Sequence, residues 1–175
     1  MKLPEAFKKI TTVILDIDGV LTDGMLIYGP EYTMKKFNAQ DGHAIRMALR
    51  AGFKVGVISG RDDPVNRRRM DELGISFSIT GAKYKIDALR TVLKEQSLTA
   101  EEILYVGDDV IDVPVMENVG IGVAVRSATA ETRAVADYVT TRAGGDGAVR
   151  EVIVRLLKEQ GKWSEAMARY RGIKI

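Results

Sequence analysis

Short apolar runs rich in β-branched residues recur along the chain with amphipathic stretches between them, and this alternation limits the possible folds more than any other feature. The runs are Val13-Ile14-Leu15, residues 53–58, 75–79, 103–106 and 121–125, with a weaker one at Tyr138-Val139. They are apolar on both faces and too short for helices, so they read as buried parallel strands. Helical patterns fill the intervals at 42–51, 64–73, 85–95, 112–118 and 147–160. Strand, helix, strand repetition implies right-handed crossovers and an α/β fold, a Rossmann-like parallel sheet with helices on both faces. Ligands of such sheets sit at the carboxyl ends of the strands.

The 175 residues suit a single domain over 1–175 with a core of its own. Apolar residues at 46% and charged residues at 29% describe a globular chain, and a net charge of +2 with both signs interspersed argues against nucleic acid or membrane as partner. The basic run Arg67, Arg68, Arg69 reads as a solvated helix face. Cysteine is absent, which excludes disulfides and thiolate chemistry and suits a reducing compartment. The first twelve residues lack the apolar core of a signal peptide, and no apolar run approaches the roughly 20 residues that cross a bilayer, so a cytoplasmic location is expected.

Two segments depart from the alternation. Residues 25–37 carry strand-like Leu26-Ile27-Tyr28, then Gly29-Pro30, then a second strand-like stretch, which predicts a projecting β-hairpin. A hairpin of that size is too small to be stable alone, so it is expected to pack on another subunit or cover the site. Residues 163–175 follow the last strong helical pattern and are expected as a tail, either loose or folded over a neighbour.

The strand ends hold the chemistry. Asp16 and Asp18 follow the first strand and, two residues apart in extended chain, can face one ligand. Gly107-Asp108-Asp109 and Asp112 follow another buried strand, and clustered carboxylates of this kind suit magnesium. Ser59-Gly60-Arg61 ends a third strand, where a hydroxyl and backbone N–H groups can hold phosphate oxygens, and Lys85 after the 81–85 turn can neutralise one. A carboxylate nucleophile, a hydroxyl, a cation and a metal cluster together form the kit of phosphoryl transfer. Each string alone is ordinary turn or surface chemistry; convergence in space is what makes a site. A calcium loop, a nucleotide P-loop and a dinucleotide fingerprint all fail on spacing, and His43, the single histidine, reads as an ordinary helix residue.

In this order and position the four strings resemble the motifs of the haloacid dehalogenase superfamily of phosphohydrolases. A narrower likeness is to its 3-deoxy-D-manno-octulosonate 8-phosphate phosphatases of bacterial lipopolysaccharide synthesis. It is carried by LDIDGVLTDG at 15–24, Phe37-Asn38 with Asp41-Gly42, Ser59-Gly60-Arg61, YVGDDVID at 105–112, Pro114-Val115-Met116 and AGGDGAVRE at 143–151. The resemblance implies a capless, magnesium-dependent phosphomonoester hydrolase acting on a sugar-acid phosphate through an aspartyl-phosphate. It further implies a homotetramer in which the hairpin region completes a neighbour's site. By the same resemblance Asp16 is the nucleophile and Asp18 the general acid and later base. Asp16, the main-chain carbonyl of Asp18 and Asp108 hold magnesium, Asp109 supports them, and Asp112 is a weaker structural candidate. Ser59, Gly60 and Lys85 bind phosphate, and Arg61, Asn38 and Asp41 face the sugar acid. Gln40 and Asp146 stand where that family often has basic residues, which keeps a nine-carbon acid such as an N-acylneuraminate 9-phosphate open as substrate. A receiver-type signalling domain would carry its reactive Asp near the third strand, whereas the pair here follows the first.

Overall fold

The computed structural model describes residues 3–172. In chain order its elements are α1 (Leu3–Lys9), β1 (Thr12–Leu15), β2 (Ile27–Tyr28), β3 (Thr33–Met34), α2 (Ala39–Arg50), β4 (Lys54–Ile58), α3 (Pro64–Leu73), β5 (Phe77–Ile79) and α4 (Lys85–Gln96). The second half adds β6 (Ile103–Gly107), α5 (Val113–Met116), β7 (Ile121–Ala124), α6 (Ala130–Val135), β8 (Tyr138–Val139), α7 (Ala148–Glu159) and α8 (Trp163–Arg171). Six strands form one parallel sheet in the order β5-β4-β1-β6-β7-β8, with β1 at its middle.

Every residue of β1, β6 and β7 is buried, which explains why these strands read as continuous apolar runs rather than alternating ones. Val13, Ile14, Leu15, Ile103, Leu104 and Ile121 are wholly enclosed, each contributing roughly 1.5–3 kcal/mol of burial. The helices cover both faces of the sheet in two packed groups, α1, α2 and α7 in one and α4, α5 and α6 in the other.

Helix α2 starts three residues before the apolar pattern does. Asn38 caps it, its Oδ1 accepting from the N–H groups of Gln40 at 2.8 Å and Asp41 at 3.4 Å. Helices α1 and α6 are too short to show a period, and α1 is held by burial of Ala6 and Phe7. The hairpin is present as the antiparallel pair β2 and β3, tied to the body by a bridge between Thr22 and Phe37. Met25, Ile27, Tyr28, Tyr32 and Met34 on it are exposed.

The segment after residue 162, expected as a tail, is not loose over its described residues. It forms α8, which folds back on its own chain: Tyr170 Oη lies 2.8 Å from His43 Nε2 and accepts from Arg50 Nη2 at 2.6 Å. Lys162 stacks on Phe53. These partners lie more than a hundred residues upstream, so no local pattern announces them. Residues 173–175 of that segment lie outside the described residues.

Candidate active site

Pairing of β1 with β6 brings the carboxyl ends of both strands together, and Asp16 begins there, its N–H donating to Val106 O at 3.0 Å. The chain then turns tightly. The N–H groups of Val20, Leu21 and Thr22 all donate to Ile17 O, at 3.2, 2.9 and 3.1 Å. Thr22 Oγ1 accepts from Gly19 N at 3.3 Å and Gly24 N at 3.2 Å. Gly19 has φ of +95°, and a Cβ there would lie 2.0 Å from Asp108 Oδ2, so only glycine lets Asp108 reach the loop. Gly144 backs the same loop so closely that a Cβ on it would meet Gly19 O at 1.6 Å.

Behind Asp16 lies a buried lattice of charge. Lys85 Nζ sits 3.0 Å from Asp16 Oδ2 and 2.6 Å from Asp112 Oδ1. Asp112 Oδ1 also accepts from Tyr105 Oη at 2.5 Å, and its Oδ2 accepts from the N–H groups of Asp108 at 3.0 Å and Asp109 at 3.2 Å. Lys85 opens α4, the end of a helix that repels cations, and the two carboxylates explain its place there. Burial alone would lower the Lys85 pKa, but Asp16 and Asp112 outweigh it and hold the pKa up.

Oxygens of Asp16, Asp108 and Asp112 lie within 4.8 Å of one another. Burial, with repulsion from Asp112, pushes the Asp16 carboxyl up to about 7 although Lys85 pulls it down. Burial, then Asp16 and Asp112, push Asp108 to about 8. Both shifts record too much negative charge in too little solvent, which a divalent cation relieves. The donor set is oxygen throughout, the choice of a hard cation such as magnesium. Asp112 has both oxygens already engaged, which leaves Asp16 and Asp108 as the freer ligands.

Asp18 lives differently. Lys35, whose side chain is fully buried, places Nζ 2.7 Å from Asp18 Oδ1, 2.8 Å from Asp63 Oδ2 and 3.0 Å from Asn66 Oδ1. Arg61 Nε stands 3.8 Å from Asp18 Oδ2, and Arg61 Nη1 donates to Tyr28 Oη at 3.3 Å. Ser59 is buried at the end of β4, its Oγ accepting from Arg61 N at 3.3 Å. Gly60 is exposed, and a Cβ on it would make only ordinary contact, 3.8 Å from Ala82 O.

The remaining expected residues stand elsewhere. Asp109 turns its carboxylate to Val110 N at 2.7 Å, capping the 110–112 turn. Asp41 is buried and accepts from Gly147 N at 3.2 Å and Arg150 N at 2.7 Å, so within one chain its oxygens serve the start of α7. Asn38 and Gln40 line an open groove of about 820 Å³ with Asp146, Arg142 and Arg150, apart from the Asp16 cluster. Lys35, Asp63 and Asn66 lie in no string quoted above, and Tyr105, which opens the 105–112 string, was given no role there. The buried strand position of Tyr105 and its place in that string were the signals for it.

Residues 80–153 match the model of the haloacid dehalogenase-like hydrolases. The 3-deoxy-D-manno-octulosonate 8-phosphate phosphatase of Escherichia coli (strain K12) is 44% identical over 160 residues, covering 91% of this chain and 85% of that protein. The crystal structure of the Moraxella catarrhalis phosphatase of that name, in complex with magnesium ion, phosphate ion and a KDO molecule, superposes with a TM-score of 0.93. It is 36% identical, with 95% of this chain and 97% of that one covered. The cobalt-bound Haemophilus influenzae phosphatase gives 0.88 at 39% identity, covering 91% and 94%.

Proposed function

The chain belongs to the 3-deoxy-D-manno-octulosonate 8-phosphate phosphatase family of the haloacid dehalogenase-like hydrolases, and on that premise we propose that it hydrolyses this eight-carbon sugar-acid phosphate. The products are the free sugar acid, destined for lipopolysaccharide synthesis, and inorganic phosphate. The observation that carries this reading is the convergence of buried Asp16 and Lys85 with half-buried Asp108, and of half-buried Asp18 two residues on from Asp16.

In this reading a carboxylate oxygen of Asp16 attacks phosphorus as the bond to the sugar oxygen breaks, and Asp18 gives its proton to that oxygen. Asp18 then takes a proton from water, whose oxygen attacks phosphorus of the acyl phosphate, so that the bond to Asp16 breaks, the Asp16 carboxylate is freed and Asp18 is again protonated. Asp16, Asp108 and the Asp18 carbonyl, with Asp109 in support, would hold magnesium, which would neutralise the phosphate charge. Lys85 and the Ser59 hydroxyl, with the open Gly60 N–H, hold phosphate oxygens. Asp112, through Lys85 and the amides of Asp108 and Asp109, fixes the geometry of the set. Arg61 is the candidate for the sugar carboxylate, which a guanidinium can pair in two-pronged fashion.

Among the described residues no helix is long and apolar enough to cross a membrane. The lack of cysteine supports a cytoplasmic setting, which is our reading. The exposed apolar hairpin supports a homotetramer in which Asn38 and the chain around Asp41 border a neighbour's site. Named relatives act on the eight-carbon acid, which favours it over a nine-carbon one. The test is phosphate release from a panel of eight- and nine-carbon sugar-acid phosphates, with and without magnesium. Magnesium-dependent preference for the octulosonate ester is expected; preference for an N-acylneuraminate ester would overturn the substrate assignment.

A further inference from the structure

Lys35 is spent in an unusual way. It lies one residue past β3, on the hairpin, where a lysine ordinarily guards a strand edge in water. Instead its side chain is fully buried: Nζ donates to Asp18 Oδ2 and to Asn66 Oδ1, each at 3.0 Å, and pairs by charge with Asp63 Oδ2 at 2.8 Å. Asp63 precedes α3 and makes no cap bond to it, and Asn66 lies in the first turn of α3. The amide nitrogen of Asn66 is buried without an acceptor, so the side chain is oriented for Lys35 and at a cost to itself.

A buried ion pair is a poor stabiliser compared with an apolar pair of the same shape. A hairpin foot could be fastened to α3 more cheaply by a methionine. What an ammonium does that a methionine cannot is fix the direction of a carboxylate, here one with a fifth of its side-chain surface open to solvent. We infer that Lys35 is a positioning residue for Asp18, a buried ammonium that holds the acid–base carboxylate in one orientation by tying it to α3 and to the hairpin. The inference rests on the acid–base role given to Asp18 above.

The test is Lys35→Met, assayed on the sugar-acid phosphate and on p-nitrophenyl phosphate. On the sugar ester, whose leaving oxygen needs a proton, kcat should fall about 10²-fold with KM within about threefold. Nitrophenolate leaves without a proton, so the first step should survive and release about one equivalent per site as a burst, followed by slow hydrolysis of the aspartyl-phosphate. In an Asp18→Asn background, Lys35→Met should add less than about twofold, because the two act as one unit. Lys35→Gln keeps a donor without the charge and carries the same test if the methionine variant does not fold. Losses that multiply in the double variant, disappearance of the burst, or unchanged kcat on the sugar ester would each overturn the inference. If the wild type leaves every sugar-acid phosphate intact, the substrate assignment fails, while the burst and the double variant still decide on Lys35.

Discussion

Asp16 and Asp18 are two residues apart and are held by opposite strategies. Asp16 belongs to the core: Lys85, Asp112, Tyr105 and the β6 backbone surround it, and each is fixed by a strand or by the start of a helix. Asp18 belongs to the periphery, partly open to solvent and gripped by Lys35 from the hairpin and Arg61 from the loop after β4. In the mechanism proposed above, the group that meets phosphorus in line gains from rigidity, and the group that exchanges protons with a leaving oxygen and then with water needs access. The fold supplies the first from the fully buried end of β1 and the second from the half-open loop after it, braced by the hairpin.

The sharpest way to break this contrast is to neutralise each carboxylate in turn. Asp16→Asn, nearly isosteric but no nucleophile, should lower kcat by more than about 10⁴-fold on any ester while the circular dichroism spectrum stays native. Asp18→Asn should cost about 10²–10⁴-fold on the sugar ester and leave a nitrophenolate burst that Asp16→Asn lacks. Equal burst amplitudes in the two variants would erase the division of labour.

Next in size is a pH effect confined to the core half. In the folded, metal-free chain Asp16 and Asp108 keep their protons up to about 7 and about 8, whereas the unfolded chain releases them near 3.8. The folded state therefore binds more protons across that interval, and its stability falls as pH rises. In EDTA the melting temperature should drop between about pH 5 and about pH 8.5, and excess magnesium should flatten the slope. A slope of the opposite sign would mean that Lys85 neutralises the lattice unaided.

Asp112→Asn removes one of the two carboxylates that justify burying Lys85, and should cost about 3 kcal/mol in urea unfolding. The smallest effect belongs to the periphery. Charging the exposed Ile27 and Met34 as aspartates should dissociate the assembly in sedimentation and cut sugar-acid turnover about tenfold, with less effect on p-nitrophenyl phosphate, whose small body needs fewer closing contacts. A wild type that sediments as a fully active monomer would dispose of the assembly proposal.

The same contrast separates what was legible in the sequence from what was not. The six strands and the meeting of Asp16, Lys85 and Asp108 follow from buried apolar runs and from carboxylates placed just after them, both local signals. Arg67 and Arg68 do face solvent, but Arg69 of the same run turns in and stacks on Phe37. Lys35 was illegible because its partners lie at 18, 63 and 66, and a lysine beside a hairpin strand has an ordinary solvated reading. Asp41 carries the same lesson: its place before Gly42 gives no sign that its oxygens are taken by the start of α7, more than a hundred residues away. Helix α8 was missed for a related reason, since Tyr170 is anchored by His43 and Arg50 rather than by its own period.

The central position of β1 also sets the timetable of synthesis. Thr12 pairs with Lys54 on one side and with Ile103 on the other, so the strand that leads to Asp16 is the first strand made and gains its second neighbour only when more than half of the chain has left the ribosome. Until then its far edge carries open hydrogen-bonding groups, a surface for chaperones and for misassembly. Asp108 and Asp112 arrive in that same late stretch. A stalled or truncated chain lacking it therefore has neither the second neighbour of β1 nor the carboxylates that face Asp16, and on the proposed mechanism hydrolysis waits until the far half has docked.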